Sequence, residues 1–456
     1  MLNEELLRKI DARIIDKCPT THTLWQRNQS VMPGGCGNGI GMIRPIPFMI
    51  SRSDGGRVWD EDGNEFVDCM ISQECMMLGG KPQYIVDAIV KQVQGIGLGF
   101  GAAYAREYDL AKMVCDSVPS VDKLTFCNSG TEATLFALKL ARAATGREYV
   151  AKIEGGYHGI HDYLHVSGPM RVDDMGPLEA PNTVPNSAGM LTDAWQKTVV
   201  LPLNHKAAFD IIRELADRLA CVIVEPVQAW GPIEAEKWWL QGLRDATRET
   251  GALLIMDEVI TWPKLGMAGG QGYFGIDADI TTFGKLLGGG IPIGAVGGTD
   301  AVMSKISGQS LGKGNAVCAM GGTFSANPLA MEAGIAAIGY CIDHPEIFPA
   351  MFGKQERICR EVLEFAQKND FRISMRASGP LFKTYFLPTA PKNIRDSFAE
   401  DVTARRAWNM LLRVHGLHTA LSGLCFVADA HTDVDVDAII EAHKKALVDL
   451  KEYKLI

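Results

Sequence analysis

The chain predicts an α/β fold: a large domain built on a mainly parallel sheet flanked by helices, and a smaller α+β domain made from the N- and C-terminal segments. Three observations predict it. The middle of the chain alternates short β-rich runs with helical patterns, glycines cluster in the gaps between them, and after Pro328 the pattern turns to helices with a few strands between. Alternating strand and helix means crossover connections and hence parallel strands, whose carboxyl ends carry the ligand-binding loops.

The elements follow in order. A strand pair over 48–52 and 57–60, with Asp62-Gly63-Asn64 as the next turn, belongs to the small domain. The large domain begins with a strand over 123–127 and a helix from Thr131, then a strand over 149–153 and a helix over 207–219. A strand over 221–224, a helix over 238–250 and a strand over 253–256 complete the alternation. Helices over 330–341, 354–367 and 434–453, with strands over 373–375, 381–386 and 424–428, form the C-terminal part. The expected partition is 1–75 and 329–456 for the small domain and 76–328 for the large one.

Composition narrows the function. With 456 residues, 47% hydrophobic, the chain can bury one large or two fused cores. Lys+Arg of 45 against Asp+Glu of 54 gives a net charge of -9, without a basic cluster for nucleic acid or an anionic membrane. No apolar run has the length of a membrane span, and the first residues, MLNEELLRKIDARIIDKCP, lack the apolar core of a signal peptide. Eleven cysteines without a C-x-x-C pair read as reduced thiols of a cytoplasmic protein, and no metal site is expected.

Three motifs carry chemistry. Asn128-Ser129-Gly130-Thr131-Glu132 follows a strand and opens a helix, where free backbone N–H groups and the helix dipole hold a phosphate; alone, it reads sooner as a simple N-cap. Asp257-Glu258 ends an apolar strand, where a carboxylate either caps a helix or neutralises a cation. Lys285 stands between an apolar strand and a glycine-rich turn, 28 residues after Asp257, with Tyr157-His158-Gly159 upstream of both. In this order and spacing the parts describe pyridoxal phosphate chemistry.

The segments MPGG, NSGTEATLFALKLARAATGR, YHG, EPV, DEV, GGQGYFGI, FGKLLGGGIPIGAVGG and GGTFSANPLAMEAG closely resemble the class III aminotransferases. The resemblance covers about residues 30 to 440 and is nearest to the branch with glutamate-1-semialdehyde 2,1-aminomutase and β-amino-acid aminotransferases. It implies a fold-type I enzyme with a seven-stranded sheet, pyridoxal 5'-phosphate as cofactor, and a homodimer with shared active sites. By that resemblance Lys285 forms the internal aldimine and shuttles protons, and Asp257 pairs with the pyridinium nitrogen. Ser129, Gly130 and Thr131 resemble the phosphate cup, which Thr323 closes from the neighbouring subunit. Tyr157 and Val259 resemble the residues on the two ring faces. His158 adjoins Tyr157, in a catalytic or a purely polar-network role, and Asn204 and Glu225 match positions near the phenolic oxygen.

The chain also departs from these relatives. Where amino-acid-specific members carry an arginine after P-G-G it has Asn38, and where β-amino-acid aminotransferases carry a second it has Ser422; a guanidinium that grips a carboxylate has no counterpart in either. Arg44 is the nearest basic substitute, or a structural residue. Glu74, in Ser72-Gln73-Glu74, faces the substrate or else pairs with Lys81, and Trp230 completes the expected substrate-binding set with Asn38, Arg44 and Glu74. The expected function is transamination between an amine or amino acid donor, hydroxylated or cationic, and an oxo acceptor, through the Lys285 aldimine. An aminomutase or racemase on the same scaffold is the alternative. A protein that has lost catalysis is disfavoured by the intact Lys285, Asp257 and phosphate-loop residues.

Overall fold

A computed structural model describes residues 2–38, 45–99, 101–168, 172–306, 317–420 and 422–456. The chain forms two compact units: Met1–Pro82 with Ile347–Pro391 and Ser397–Ile456, and Gln83–Glu346 with Lys392–Asp396.

The second, larger unit contains seven strands: β1 (Lys123–Cys127), β2 (Tyr149–Ile153), β3 (Thr198–Leu201), β4 (Leu219–Val224), β5 (Leu253–Asp257), β6 (Ile280–Gly284) and β7 (Gly294–Gly298). They lie in the order β1-β7-β6-β5-β4-β2-β3. β7 runs antiparallel to both its neighbours, while β6, β5, β4, β2 and β3 pair in parallel. The interior strand β4, LACVIV, is buried at all six positions, as a strand covered on both faces must be.

The helices of this unit include α1 (Gln83–Gly95), α2 (Glu107–Ser117), α3 (Gly130–Thr145), α4 (Ala207–Glu214), α5 (Lys237–Thr250) and α6 (Pro328–Asp343). α3 lays Ala133, Ala137, Leu138 and Ala141 against Val150, Cys221, Ile255, Ile280 and Val296 of the sheet. Its small residues let the helix approach closely, Ser129 caps its start, and Gly146 at φ 71 ends it in the left-handed conformation that glycine adopts without a steric cost.

Three expectations about extent are revised. The helix expected over 207–219 ends at Glu214, because Leu219 is already paired with Tyr149 in the sheet. The large unit continues to Glu346 instead of closing at 328, because α6 packs on α1 and α2. The strand expected over 48–52 lies at Ile50–Asp54, where the Gly55-Gly56 turn places Asp54 opposite Arg57.

In the smaller unit, Ile50–Asp54, Arg57–Asp60 and Glu65–Asp68 form an antiparallel ladder that Leu417–His418 joins in parallel. A second sheet pairs Ser374–Ser378, Leu381–Tyr385 and Cys425–Phe426. The helices Ile347–Lys368, Val402–Val414 and Asp433–Glu452 belong to this unit. No helix among the described residues is long and apolar enough to cross a membrane.

Candidate active site

Parallel strands end on one side of a sheet, so the residues that close β2, β4, β5 and β6 gather there. Asp257 is the last residue of β5 and lies beside Thr282 in the register of β6. That register lets Thr282 Oγ1 donate to Asp257 Oδ1 at 2.9 Å, and the Val259 N–H adds a second donor at 3.2 Å. Asp257 Oδ2 meets His158 Nδ1 at 2.7 Å. Burial lowers the His158 pKa against the pull of Asp257, which leaves a neutral imidazole donating from Nδ1; its buried Nε2 has no hydrogen-bond partner among the described residues. Asp257 is thus a 4% exposed carboxylate oriented by neutral donors.

Strand alternation separates the acidic pair. Glu258 points the other way, where Thr261 Oγ1 and the N–H groups of Gly270 and Gln271 donate to it. This makes it a structural anchor of the following loop.

Lys285 begins a short 3-10 turn directly after β6 with φ 51, a left-handed conformation that costs a non-glycine residue about 1–2 kcal/mol. Strain of this kind is kept where it aims a side chain. Val259 packs between two glycines: a Cβ at Gly130 would meet it at 3.3 Å and one at Gly284 at 3.4 Å.

At the start of α3, Ser129 Oγ accepts the Glu132 N–H at 3.1 Å and Ser129 O accepts that of Ala133 at 3.0 Å. The N–H groups of Gly130 and Thr131 have no acceptor among the described residues, which leaves the positive end of a 16-residue helix open to an anion. The loop is pressed from behind, since a Cβ on Gly294 would stand 2.2 Å from Ser129 O.

Tyr157 and His158 follow β2, and Glu225 follows β4. Glu225 Oε2 accepts the Tyr157 N–H at 2.8 Å and Oε1 the Ala229 N–H at 3.2 Å. Burial first, then the charge of Asp257, pushes its carboxyl up to about 8. The Tyr157 hydroxyl is also pushed up by burial, with the Lys285 ammonium opposing. Trp230 meets the Tyr157 ring edge-on at 6.2 Å. Both border a cavity of about 200 Å³ lined also by Leu164, His165 and Asn186.

The other expected residues are placed elsewhere. Asn204, at φ 55, gives its amide to the neighbouring backbone, donating to Glu234 O at 3.1 Å and accepting the Glu236 N–H at 2.7 Å, so it is not brought to the Asp257 cluster. Thr323 is exposed on a face of the large unit with an open cleft of about 1120 Å³, beside Phe324 and Tyr108. Asn38 and Glu74 belong to the smaller unit. Asn38 is exposed there, whereas Glu74 is buried in a turn whose residues Ile71 to Glu74 all have positive φ. Arg44 lies outside the described residues. Sequence reasoning assigned no role to Thr282 or to Lys152; the signal for Lys152 was a lysine inside the apolar strand YVAKI.

A lysine strained into place at one strand end, an oriented carboxylate at the next, and an anion-holding helix start define a class, the pyridoxal phosphate enzymes with an α/β fold. The family is narrower: residues 42–438 match Aminotransferase class-III, and the chain belongs to that family. Its cofactor is pyridoxal 5'-phosphate. The chain is 34% identical over 431 residues to a glutamate-1-semialdehyde 2,1-aminomutase of Methanothrix thermoacetophila, covering 93% of this chain and 96% of the relative. An omega-transaminase from Sphaerobacter thermophilus superposes with a TM-score of 0.89 at 30% identity, covering 94% of this chain and 98% of that one. A transaminase with pyridoxal phosphate bound gives 0.85 at 29% identity, covering 95% and 98%.

Proposed function

We propose that the chain is an aminomutase that exchanges an amino group between neighbouring carbons of one small substrate. The whole-length identity to a protein named as an aminomutase carries this reading. It reverses the order expected from sequence, where transamination stood first.

The residues present fit the cofactor. Asp257 is a buried carboxylate that meets His158 and accepts from Thr282, a setting suited to pairing with a cation on a bound ring nitrogen. The Gly130 and Thr131 N–H groups supply an anion site, and Gly130 and Gly284 leave room beside Val259 that any Cβ would narrow. Pyridoxal phosphate, when bound, stabilises negative charge developing on the substrate carbon that bears the amine. Lys285 would hold its aldehyde carbon, and Ser129, Gly130 and Thr131 its phosphate. Asp257, kept in orientation by His158 and Thr282, would hold the proton on the ring nitrogen. Tyr157 and Val259 would cover the ring faces, and Glu225 would lie near the phenolic oxygen. The Lys285 amine would hold and move the proton at the substrate carbon that bears the amino group. Trp230 would border the substrate.

Asn38 in place of an arginine argues against a substrate held there by its carboxylate, and the identity to an omega-transaminase supports a second reading, transfer from an amine donor to a separate oxo acceptor. A homodimer completes the proposal, with Thr323 reaching the partner's phosphate site; the exposed Phe324, at 68%, and Tyr108, at 67%, on the cleft face support it. One experiment separates the two readings. Cofactor-loaded protein is mixed with single compounds in the absence of acceptor, among them glutamate 1-semialdehyde and simple hydroxylated or cationic amines. Rearrangement of the added compound without an acceptor is the expected result. Stoichiometric conversion of the cofactor to its amine form, with release of an oxo product, would establish the transaminase instead.

A further inference from the structure

The loop that carries Tyr157 and His158 is held by a buried lysine with no part in the chemistry above. Lys152 points from β2 with 1% of its surface exposed. Its Nζ donates to Gly156 O at 2.6 Å, Val166 O at 2.5 Å and Leu164 O at 3.3 Å, three carbonyls of the segment that leaves the strand. A lysine in this position loses its hydration shell, and burial pushes it down to about 7 while Glu225 and Glu154 act to keep it charged. Glu154 is itself committed to an ion pair with Arg395 at 2.7 Å. Of the two carboxylates, Glu225 exerts the larger pull on Lys152.

The two buried groups meet on one peptide. Gly156 C=O and Tyr157 N–H belong to the same planar amide. Lys152 takes its oxygen at 2.6 Å and Glu225 its nitrogen at 2.8 Å. A cation on the oxygen and a carboxyl on the N–H polarise the amide in the same sense, and each contact strengthens the other. Because Tyr157 Cα lies in the plane of that amide, a fixed plane fixes the point from which its side chain leaves the chain, with the N–Cα and Cα–Cβ torsions left to the packing around the ring. Gly156 has no side chain for a steric reason: a Cβ there would stand 3.0 Å from Ile153 O and 3.1 Å from His158 Nε2.

We propose that Lys152 and Glu225 are positioning residues that clamp the Gly156–Tyr157 peptide from its two ends, and so set the Tyr157 ring. The clamp deepens the reading of the cofactor site given above, and its relevance to the cofactor rests on that reading. The peptide geometry is tested without it.

The test is residue-resolved amide hydrogen exchange on the full-length protein, before and after loading with pyridoxal phosphate, joined to the cofactor dissociation constant and the visible circular dichroism of the bound cofactor. Lys152→Met and Glu225→Leu are each expected to speed exchange of the Tyr157 amide about tenfold, the scale of one hydrogen bond to its peptide, with Val150 to Ile153 unchanged. The double variant is expected to fall short of the product of the two effects, because either change breaks the shared polarisation. Glu225→Gln keeps size, shape and an acceptor oxygen for the Tyr157 N–H, so it is expected to exchange as wild type does. Unchanged Tyr157 exchange in Glu225→Leu, equal acceleration in Glu225→Gln and Glu225→Leu, or single effects that multiply in full would overturn the clamp. Faster exchange with unaltered cofactor affinity and dichroism would leave the clamp standing and remove Tyr157 from the cofactor's face.

Discussion

Lys285 and Asp257 were legible as residues because their types are rare where they occur: a lysine closing an apolar strand before glycines, and an acid ending another. Their partners were not. Thr282 reaches Asp257 only because parallel register sets the two side by side, and His158 reaches it from residues 99 positions away in the chain. Lys285→Ala is expected to abolish turnover by at least about 10³-fold, the range lost with a positioned acid–base group, and to abolish the visible absorbance of covalently held cofactor. Absorption spectra of the purified variant check it. Glu225 carries a second expectation. Its carboxyl lies at about 8 in the folded chain against an ordinary 4.5, so between these values the native state holds a proton that the unfolded chain releases. Stability contributed by Glu225 therefore falls as pH rises through that window, by up to about 1.4 kcal/mol per pH unit. Urea unfolding of the cofactor-free protein should show wild type losing ground to Glu225→Gln from about pH 5 to about pH 8. The comparison is between the two proteins because Lys152, held near 7, acts in the opposite direction above that pH.

At the scale of elements, α3 combines a structural and a functional end. Its buried alanines and leucines set its distance from the sheet, and the same packing presents the Gly130 and Thr131 N–H groups. The sequence announced the start of this helix because Asn128 to Glu132 stand between a strand and a helical pattern. The backing of its first turn was invisible, since it comes from β7: Gly294 leaves 2.2 Å between a notional Cβ and Ser129 O. Gly294→Ala must displace the turn or the strand, at about 1–3 kcal/mol, the usual cost of overpacking. Thermal unfolding should register that loss, and titration with pyridoxal phosphate should show weakened binding, because the displaced atoms belong to the proposed anion site.

At the scale of the whole molecule, the chain leaves the large unit after Glu346 and returns to it for five residues, Lys392–Asp396. The return is pinned by Arg395, which donates to both oxygens of Glu154 at 2.7 and 2.8 Å and to the carbonyls of Gly176 and Met175. Glu154 is 2% exposed. Arg395→Ala would leave that carboxylate buried without its cation and is expected to cost about 3 kcal/mol, at the lower end for breaking a buried pair because Arg395 is partly exposed. Urea denaturation measures it, and Arg395→Lys should recover only part, since one ammonium cannot replace a bidentate fork.

The sequence by itself determined the alternation of strand and helix, the cofactor class and the two residues at the strand ends. These depend on periodicity and on residue types next to one another in the chain. Tertiary structure alone decided what surrounds them. It turned Asp257 and Glu258 to opposite faces, tied Asn204 to neighbouring backbone, extended the large unit to Glu346, and brought Lys152 and Glu225 onto one peptide. The reason is physical: a buried polar group must find its partner in space, and the partner that burial selects is the one the packed sheet brings within 3 Å or so, whatever its distance along the chain.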